Sequence, residues 1–236
     1  MWLRYTPEGY LVILPDDDPR LIVDAMLKTG YSEEFCVSPV FDPDFVIRLM
    51  EAGFLVMSAK FENKEDGPKN YILLPKLHLT RSALFFKNLH IKKSVKRYLC
   101  RYELRPDSNF NCIVDRCVEM HGDDWLTPPL VDAIKTIRKK TLDNVRPVSF
   151  ALYRNGKLVA GEFGIKTGRV YTSYSGYYDE SNAGTVQLIH TTRYLQENGY
   201  AFFDLGMPLD YKTDLGAVDI SPEEFVDYFR SAQENG

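Results

Sequence analysis

Cysteine is scarce in this chain: Cys36, Cys100, Cys112 and Cys117 are its four, and no two of them form a C-x-x-C pair. That spacing excludes the common thiolate metal motifs and a C-x-x-C redox site, so the expectation is reduced core thiols in a cytoplasmic protein. Histidine is equally thin. His78, His90, His121 and His190 are scattered, with no H-E-x-x-H spacing, and no metal is expected. The chain lacks a P-loop, a G-x-G-x-x-G run and a G-x-S-x-G elbow, which excludes the usual nucleotide-phosphate and hydrolase signatures. Long apolar runs are missing too. None approaches the roughly 20 residues that span a bilayer. The start, Met1 to Tyr5, lacks the charged-then-apolar pattern of a signal peptide, so no membrane partner is expected.

The 236 residues do contain an ordinary globular share of hydrophobic (44%) and charged (26%) side chains, enough for a real core. Aromatics are plentiful, with 15 Tyr and 14 Phe, as suits a β-rich core or a stacking surface. The net charge of −4 argues against a general polyanion binder. Any nucleic-acid contact has to come from a local basic patch.

Along the chain the texture changes. Residues 1–74 hold short apolar runs broken by turns and read as a small N-terminal α/β domain, with an apolar-periodic piece at Leu21 to Leu27. Asp42-Pro43 signals a helix start, since Asp42 can cap free N–H groups and Pro43 suits the first helical position. Gly53 is placed to end that helix. The polar stretch Asn63 to Asn70 reads as a loop near a domain boundary. Residues 75–236 form the second domain. Helices are expected over Ser94–Cys100, Asn111–Met120 and from Pro128 to Lys140. Val148–Tyr153 alternates and meets Asn155-Gly156, a strong hairpin signal, with Lys157–Ile165 as the return strand. Arg169–Tyr178 supplies a third strand, followed by a helix over Asn182–Asn198, a buried strand over Tyr200–Leu205, and a last helix capped by Ser221 with an acidic first turn. The order is α+β: an antiparallel meander, a helix, a strand and a helix, compatible with an acetyltransferase-like (GNAT) core of mixed α/β type. A lone Gly184 does not make the pyrophosphate loop of the CoA-dependent members of that fold.

Several residues could carry chemistry. Lys87, Lys92, Lys93, Lys96, Arg97, Arg101 and Arg105 are opposed only by Glu103 over the same stretch. That density of cations is either a solvated face or a surface for phosphates. Glu162 sits in an apolar strand and points either to solvent or into whatever the second sheet face meets. Asp204 ends a buried strand and either lines a cleft or caps a turn. Trp125 stands in the polar loop Gly122 to Thr127, where it either covers the core or offers a base a stacking platform.

In order along the chain these features resemble the leucyl/phenylalanyl-tRNA–protein transferase family. Leu89 to Arg97, LHIKKSVKR, is similar to that family's L-H-I-S-R-S-x-K-R. Trp125-Leu126-Thr127 resembles its T-W-I-T loop, Leu158 to Gly164 its L-V-G-G-x-Y-G strand, and Asn182-Ala183 its E-N-A-S helix start. Asp204 and Leu215-Gly216-Ala217 resemble its D-x-Q and S-L-G-A segments. The resemblance implies a GNAT-like aminoacyl-transfer domain without metal or organic cofactor. Its partners would be the acceptor end of a charged aminoacyl-tRNA and the N-terminal α-amine of an acceptor protein, which the transfer marks for degradation. It further implies tRNA contacts through Lys92, Lys93, Lys96, Arg97 and Arg101, and a stack of Trp125 on the terminal adenosine. Glu162, Trp125, Phe163, Tyr177 and Ser175 would bind substrate, and Asp204 and Tyr174 would serve catalysis.

This chain departs from the family pattern at informative places. Gly206 stands where the family has the glutamine of D-x-Q. Ser173 to Tyr177 replaces its G-E-S-M-F stretch, and Gly53 to Met57 its G-I-F-P-W segment. Glu162 replaces an apolar residue of the leucine/phenylalanine pocket, and an unpaired buried charge is a poor host for leucine. A cationic side chain would satisfy it through a charge-assisted hydrogen bond, so the expected donor is a basic amino acid, arginine above all. Two other readings fit the same residues: a catalytically silent tRNA-binding module, suggested by Gly206, and an aminoacyl-tRNA-dependent ligase of another acceptor, such as a peptide.

Overall fold

The structure is a computed structural model that describes residues 3–61, 70–140 and 144–234. In chain order its elements are β1 (Arg4–Tyr5), β2 (Leu11–Val12), α1 (Pro19–Thr29), α2 (Pro43–Glu51), β3 (Leu55–Phe61), β4 (Asn70–Lys76), β5 (Arg81–Leu84), α3 (Lys93–Leu99), β6 (Glu103–Pro106) and α4 (Phe110–His121). There follow α5 (Pro128–Lys139), β7 (Val145–Arg154), β8 (Lys157–Thr167), β9 (Val170–Tyr178), α6 (Ala183–Glu197), β10 (Phe202–Asp204), α7 (Asp210–Asp214), β11 (Val218–Ile220) and α8 (Pro222–Glu234). Packing divides the chain into two compact units, residues 1–79 with 122–141 and residues 80–121 with 142–236. The segment 122–141, with Trp125 and α5, thus groups with the first unit rather than with the expected 75–236 domain.

In the first unit the helix starts follow local chemistry. The Asp18 carboxylate accepts from Arg20 N and Asp42 Oδ1 accepts from Phe45 N at 2.9 Å, each followed by proline at the first helical position. α2 buries Phe45, Val46, Ile47, Leu49 and Met50, and α5 packs on it through its own apolar stripe of Leu130, Ala133, Ile134 and Ile137. β3 and β4 pair antiparallel from Leu55↔Lys76 to Phe61↔Asn70. The loop expected over Asn63–Asn70 lies outside the described residues except for Asn70, which opens β4.

The second unit is built on one seven-stranded sheet in the order β11-β5-β10-β9-β8-β7-β6. The meander β7-β8-β9 is antiparallel, with Asn155-Gly156 at its first turn, and β10 returns after α6 to lie parallel to β9. Meander, helix and parallel strand make this the expected mixed, GNAT-like α/β sheet. α6 packs against one face, in a core with Phe150, Leu152, Tyr171, Val186, Ile189 and Phe203. α4 packs against the other, where the edge of Phe110 meets Phe163 and a Cβ at Gly161 would lie 2.9 Å from Ile113. The last helix begins with a reciprocal cap: Ser221 N donates to Glu224 Oε2 and Glu224 N to Ser221 Oγ.

One expectation for the thiols is corrected. Cys36 and Cys117 are buried, whereas Cys100 and Cys112 are exposed, and all four are free. Cys112 and Cys117 lie on different sides of α4, so burying one leaves the other facing solvent. No helix among the described residues is long and apolar enough to cross a membrane.

Candidate active site

The most distinctive chemistry in the second unit surrounds Glu162, in the middle of β8. Its cross-strand neighbours are Phe150 on β7 and Gly176 on β9. The side chain is 3% exposed. Register between β8 and β9 shifts just beyond it: Phe163 pairs Ser175 while Gly164 pairs Ser173, which leaves Tyr174 as an extra residue. This bulge turns Ser173 to the face of Glu162, and Ser173 Oγ donates to Glu162 Oε2 at 3.1 Å.

From the facing helix α6, Gln187 and Thr191 approach the same carboxyl. They are one turn apart and so share a face, and Gln187 Nε2 donates to Thr191 Oγ1 at 3.0 Å. Burial raises the Glu162 carboxyl to about 7, against the pull of hydrogen bonds from Thr191, Ser173 and Gln187. Three polar atoms of this cluster, Glu162 Oε1, Gln187 Oε1 and Tyr171 Oη, have no hydrogen-bond partner among the described residues. Tyr211 on α7 stands near enough for Glu162 to help raise its phenol, behind the larger effect of burial. Tyr211 itself is 52% exposed.

The other predicted residues do not gather there. Phe163 and Tyr177 are on the α4 face, Phe163 against Phe110 and Tyr177 beneath the Arg116 guanidinium, 4.6 Å from its ring centre. Ser175 is hydrogen-bonded to Cys117 of α4. Strand alternation therefore places these three on the opposite sheet face from Glu162. Tyr174, at the bulge, is half-buried, with its ring 6.1 Å from that of Phe163.

Asp204 is fully buried, but it is not a free carboxylate at a cleft. Arg81 Nε and Nη2 hold both its oxygens at 2.9 and 2.6 Å, Thr172 Oγ1 adds a bond at 2.8 Å, and Gly206 N one at 3.0 Å. Burial pushes this carboxyl up, but Arg81 and the remaining donors outweigh it and hold Asp204 below the usual carboxylate range. Arg81 in turn lies 3.8 Å from the Phe225 ring centre. The preceding pair, Phe203 and Tyr171, faces the α6 core, so Asp204 and Thr172 face the opposite side from Glu162.

Lys212, which no sequence pattern singled out, completes this region. It is 6% exposed, and its Nζ donates to Leu205 O at 2.6 Å and Met207 O at 2.7 Å. Burial lowers its ammonium to about 8, with Asp204 and Asp219 pulling the other way. With Ser82 N bonded to Gly206 O, every carbonyl from Leu205 to Met207 has a donor, and this stretch of backbone is tied to its surroundings at each residue.

The cations of the basic segment lie on α3 and its flanks. Lys92 pairs with Asp214 at 2.5 Å. Arg97 and Arg101 flank the Tyr98 ring at 4.8 and 5.0 Å. Lys93, Lys96, Arg97 and Arg101 are exposed, and Lys93 and Lys96 have no ion-pair partner among the described residues. A shallow cleft of about 420 Å³ lies beside them, lined by Lys96, Leu99, Cys100, Tyr102, His190 and Arg193. In the first unit, Trp125 is half-buried, and its carbonyl accepts from Ser58 N at 3.0 Å and Ser58 Oγ at 2.9 Å, which fixes the loop on β3.

A mixed, GNAT-like sheet domain with a buried polar cluster on one face and a cationic helix at its surface is thereby defined. Comparison with known proteins carries this further. A model of the family "Leucyl/phenylalanyl-tRNA protein transferase" matches residues 83–230, and the chain belongs to that family. The leucyl/phenylalanyl-tRNA–protein transferase of Pseudomonas putida (strain W619) is 29% identical over 153 residues, which cover 63% of this chain and 66% of that protein. The Nitrosospira multiformis protein of the same name is 28% identical over 150 residues, covering 61% and 63%. The match thus spans slightly less than two thirds of either relative's length. Among solved structures, the L-PGS of Bacillus licheniformis is similar at 12% identity and a TM-score of 0.44, over 97% of this chain and 88% of that one. A functionally unknown conserved protein from Staphylococcus epidermidis ATCC 12228 is similar at 10% identity and a TM-score of 0.41, over 90% and 81%.

Proposed function

We propose that this protein transfers an amino acid from a charged tRNA to the N-terminal α-amine of an acceptor protein, tagging it for degradation, and that the donated residue is cationic, with arginine the best fit. The observation that carries the donor assignment is the Glu162 cluster. A buried carboxyl with one unpartnered oxygen, ringed by Ser173, Thr191 and Gln187, suits a hydrogen-bond-donating cation far better than a leucine side chain. Membership of the family supports the reaction type.

The ester linking an amino acid to tRNA is already activated, so the enzyme's work is chiefly alignment. The acceptor amine attacks the ester carbonyl, a C–N bond forms, and the C–O bond to the terminal ribose breaks. The proton lost by nitrogen ends on the ribose oxygen. Tyr174 is assigned the hydroxyl that directs this exchange, because a bulge commonly re-aims a side chain beside an active site. Asp204, saturated with donors, acts as a positioning residue that with Lys212 holds the Leu205–Met207 backbone. Lys92, Lys93, Lys96, Arg97 and Arg101 hold tRNA phosphates.

The test is to offer purified protein arginyl-, lysyl-, leucyl- and phenylalanyl-tRNA with acceptors of varied N-terminal residue. Transfer of the cationic residues, and a shift towards leucine in Glu162→Met, is the expected result. Preferred leucine transfer by the unaltered protein would overturn the donor assignment. Salt-sensitive binding of charged tRNA with no transfer to any acceptor would instead favour a silent binding module, the reading that Gly206 motivates.

A further inference from the structure

The Glu162 cluster has a second half, on α6, that the reading above does not use. α6 buries Gln187, Thr191 and Thr192 alongside Val186, Ile189 and Leu195, although a helix packed on a sheet core ordinarily turns only apolar residues inward. Buried amides are kept where their hydrogen bonds are met. Gln187 meets only part of that requirement: its Nε2 is engaged with Thr191 Oγ1, while its Oε1 has no donor.

The balance of donors and acceptors in the cluster is one-sided. Ser173, Thr191 and the Gln187 amide nitrogen supply the hydrogens, and they are spent on Glu162 Oε2, on the carboxyl's flank and on one another. What is left over is two acceptors, Glu162 Oε1 from β8 and Gln187 Oε1 from α6, beside the Tyr171 hydroxyl, which can donate one hydrogen or accept one. A ligand that engages both carbonyl-type oxygens directly brings hydrogens on separate atoms and, against the ionised carboxylate, a positive charge. A guanidinium presents five N–H groups in a planar fork and can serve two acceptors on different elements at once. An ammonium presents its three hydrogens from a single point and is more strongly hydrated, so it gains less from two separated oxygens.

Building on the donor assignment proposed above, we infer that Gln187 is a specificity-determining residue: its carbonyl and Glu162 together select a guanidinium over an ammonium side chain on the incoming aminoacyl-tRNA. Glu162 sets the charge of the accepted group and Gln187 sets its shape.

The experiment compares initial rates and KM for arginyl- and lysyl-tRNA in the unaltered protein, in Gln187→Met, which keeps the volume and loses the amide, and in Gln187→Glu, which keeps an acceptor. The arginine-over-lysine preference in kcat/KM is expected to fall about tenfold in Gln187→Met, the scale of one hydrogen bond to a charged group. Most of that fall should be in the arginine KM, with lysine transfer nearly unchanged, and Gln187→Glu should restore the preference. Cationic transfer with the same arginine-to-lysine ratio in all three proteins would overturn the role of Gln187 and leave the donor assignment standing. Preferred transfer of leucine by the unaltered protein would overturn both. Should Gln187→Met fail to fold, the unaltered protein decides alone: competition with free argininamide and lysinamide is expected to inhibit at about tenfold lower concentration for the guanidinium, and equal inhibition contradicts the inference.

Discussion

At the scale of single residues, two carboxylates of opposite character dominate the second unit. The Glu162 carboxyl is raised by burial from its ordinary 4.5 to about 7, so folding favours its protonated form. The protein is then most stable, as far as this group is concerned, below about pH 4.5, and loses that contribution as the pH rises to about 7 and beyond. Glu162→Gln should flatten this dependence and make the protein more stable at pH 8 by on the order of 3 kcal/mol, read from urea unfolding at pH 5 and 8. Equal pH dependence in both proteins would show that the carboxyl is not buried as described. Asp204 behaves in the reverse sense: its carboxyl is held low, so its stabilisation is present above the unfolded pKa and is lost as the pH falls through the folded value. Asp204→Asn leaves the Arg81 guanidinium buried without a counter-charge and should cost about 3–5 kcal/mol, again measured by urea unfolding. Tyr174 belongs to a third class. Tyr174→Phe should lower the transfer rate about a hundredfold while leaving the KM for charged tRNA unchanged, and a loss confined to KM would deny it the assigned role.

At the scale of elements, what could be read in the sequence was what local chemistry writes there. The Asp42-Pro43 start of α2, the Asn155-Gly156 turn and the Ser221–Glu224 cap each sit within four residues and were legible. The ladder of β5 with β10 and β11 was not. Arg81 and Asp204 are 123 residues apart, and no local pattern announces that one will neutralise the other. The bulge at Tyr174 was hidden for a related reason: β9 alternates acceptably on paper, and only its register with β8 shows the extra residue. Glu162 stands out in an apolar strand, facing either solvent or a second layer, but its partners Gln187 and Thr191 read as ordinary residues of a helix until that helix is laid on the sheet. Lys212 was missed because a single lysine in a short polar segment gives no sign of burial. Prediction at this scale concerns α3. Neutralising Lys93 and Lys96 to glutamine should weaken tRNA binding and reduce the slope of log affinity against log salt by about 2, since each phosphate contact contributes about one. An unchanged slope would place the tRNA elsewhere.

At the scale of the whole molecule, family membership and the buried cluster pull in different directions, and their tension is informative. The relatives carry leucyl and phenylalanyl donors in their names, whereas this chain places an acidic group with an unpartnered oxygen in the middle of β8. A fold that only aligns an activated ester with an amine can exchange its cargo by changing the residues that grip the side chain, without altering the sheet that positions the ester. The measurement that tests this most directly is a competition in one vessel. The unaltered protein receives an equimolar mixture of arginyl-, lysyl-, leucyl- and phenylalanyl-tRNA with one acceptor protein, and mass spectrometry identifies the residue added to its N-terminus. Arginine as the dominant addition is the predicted result. Leucine or phenylalanine as the dominant addition would contradict the account of Glu162 as the group that chooses the cargo.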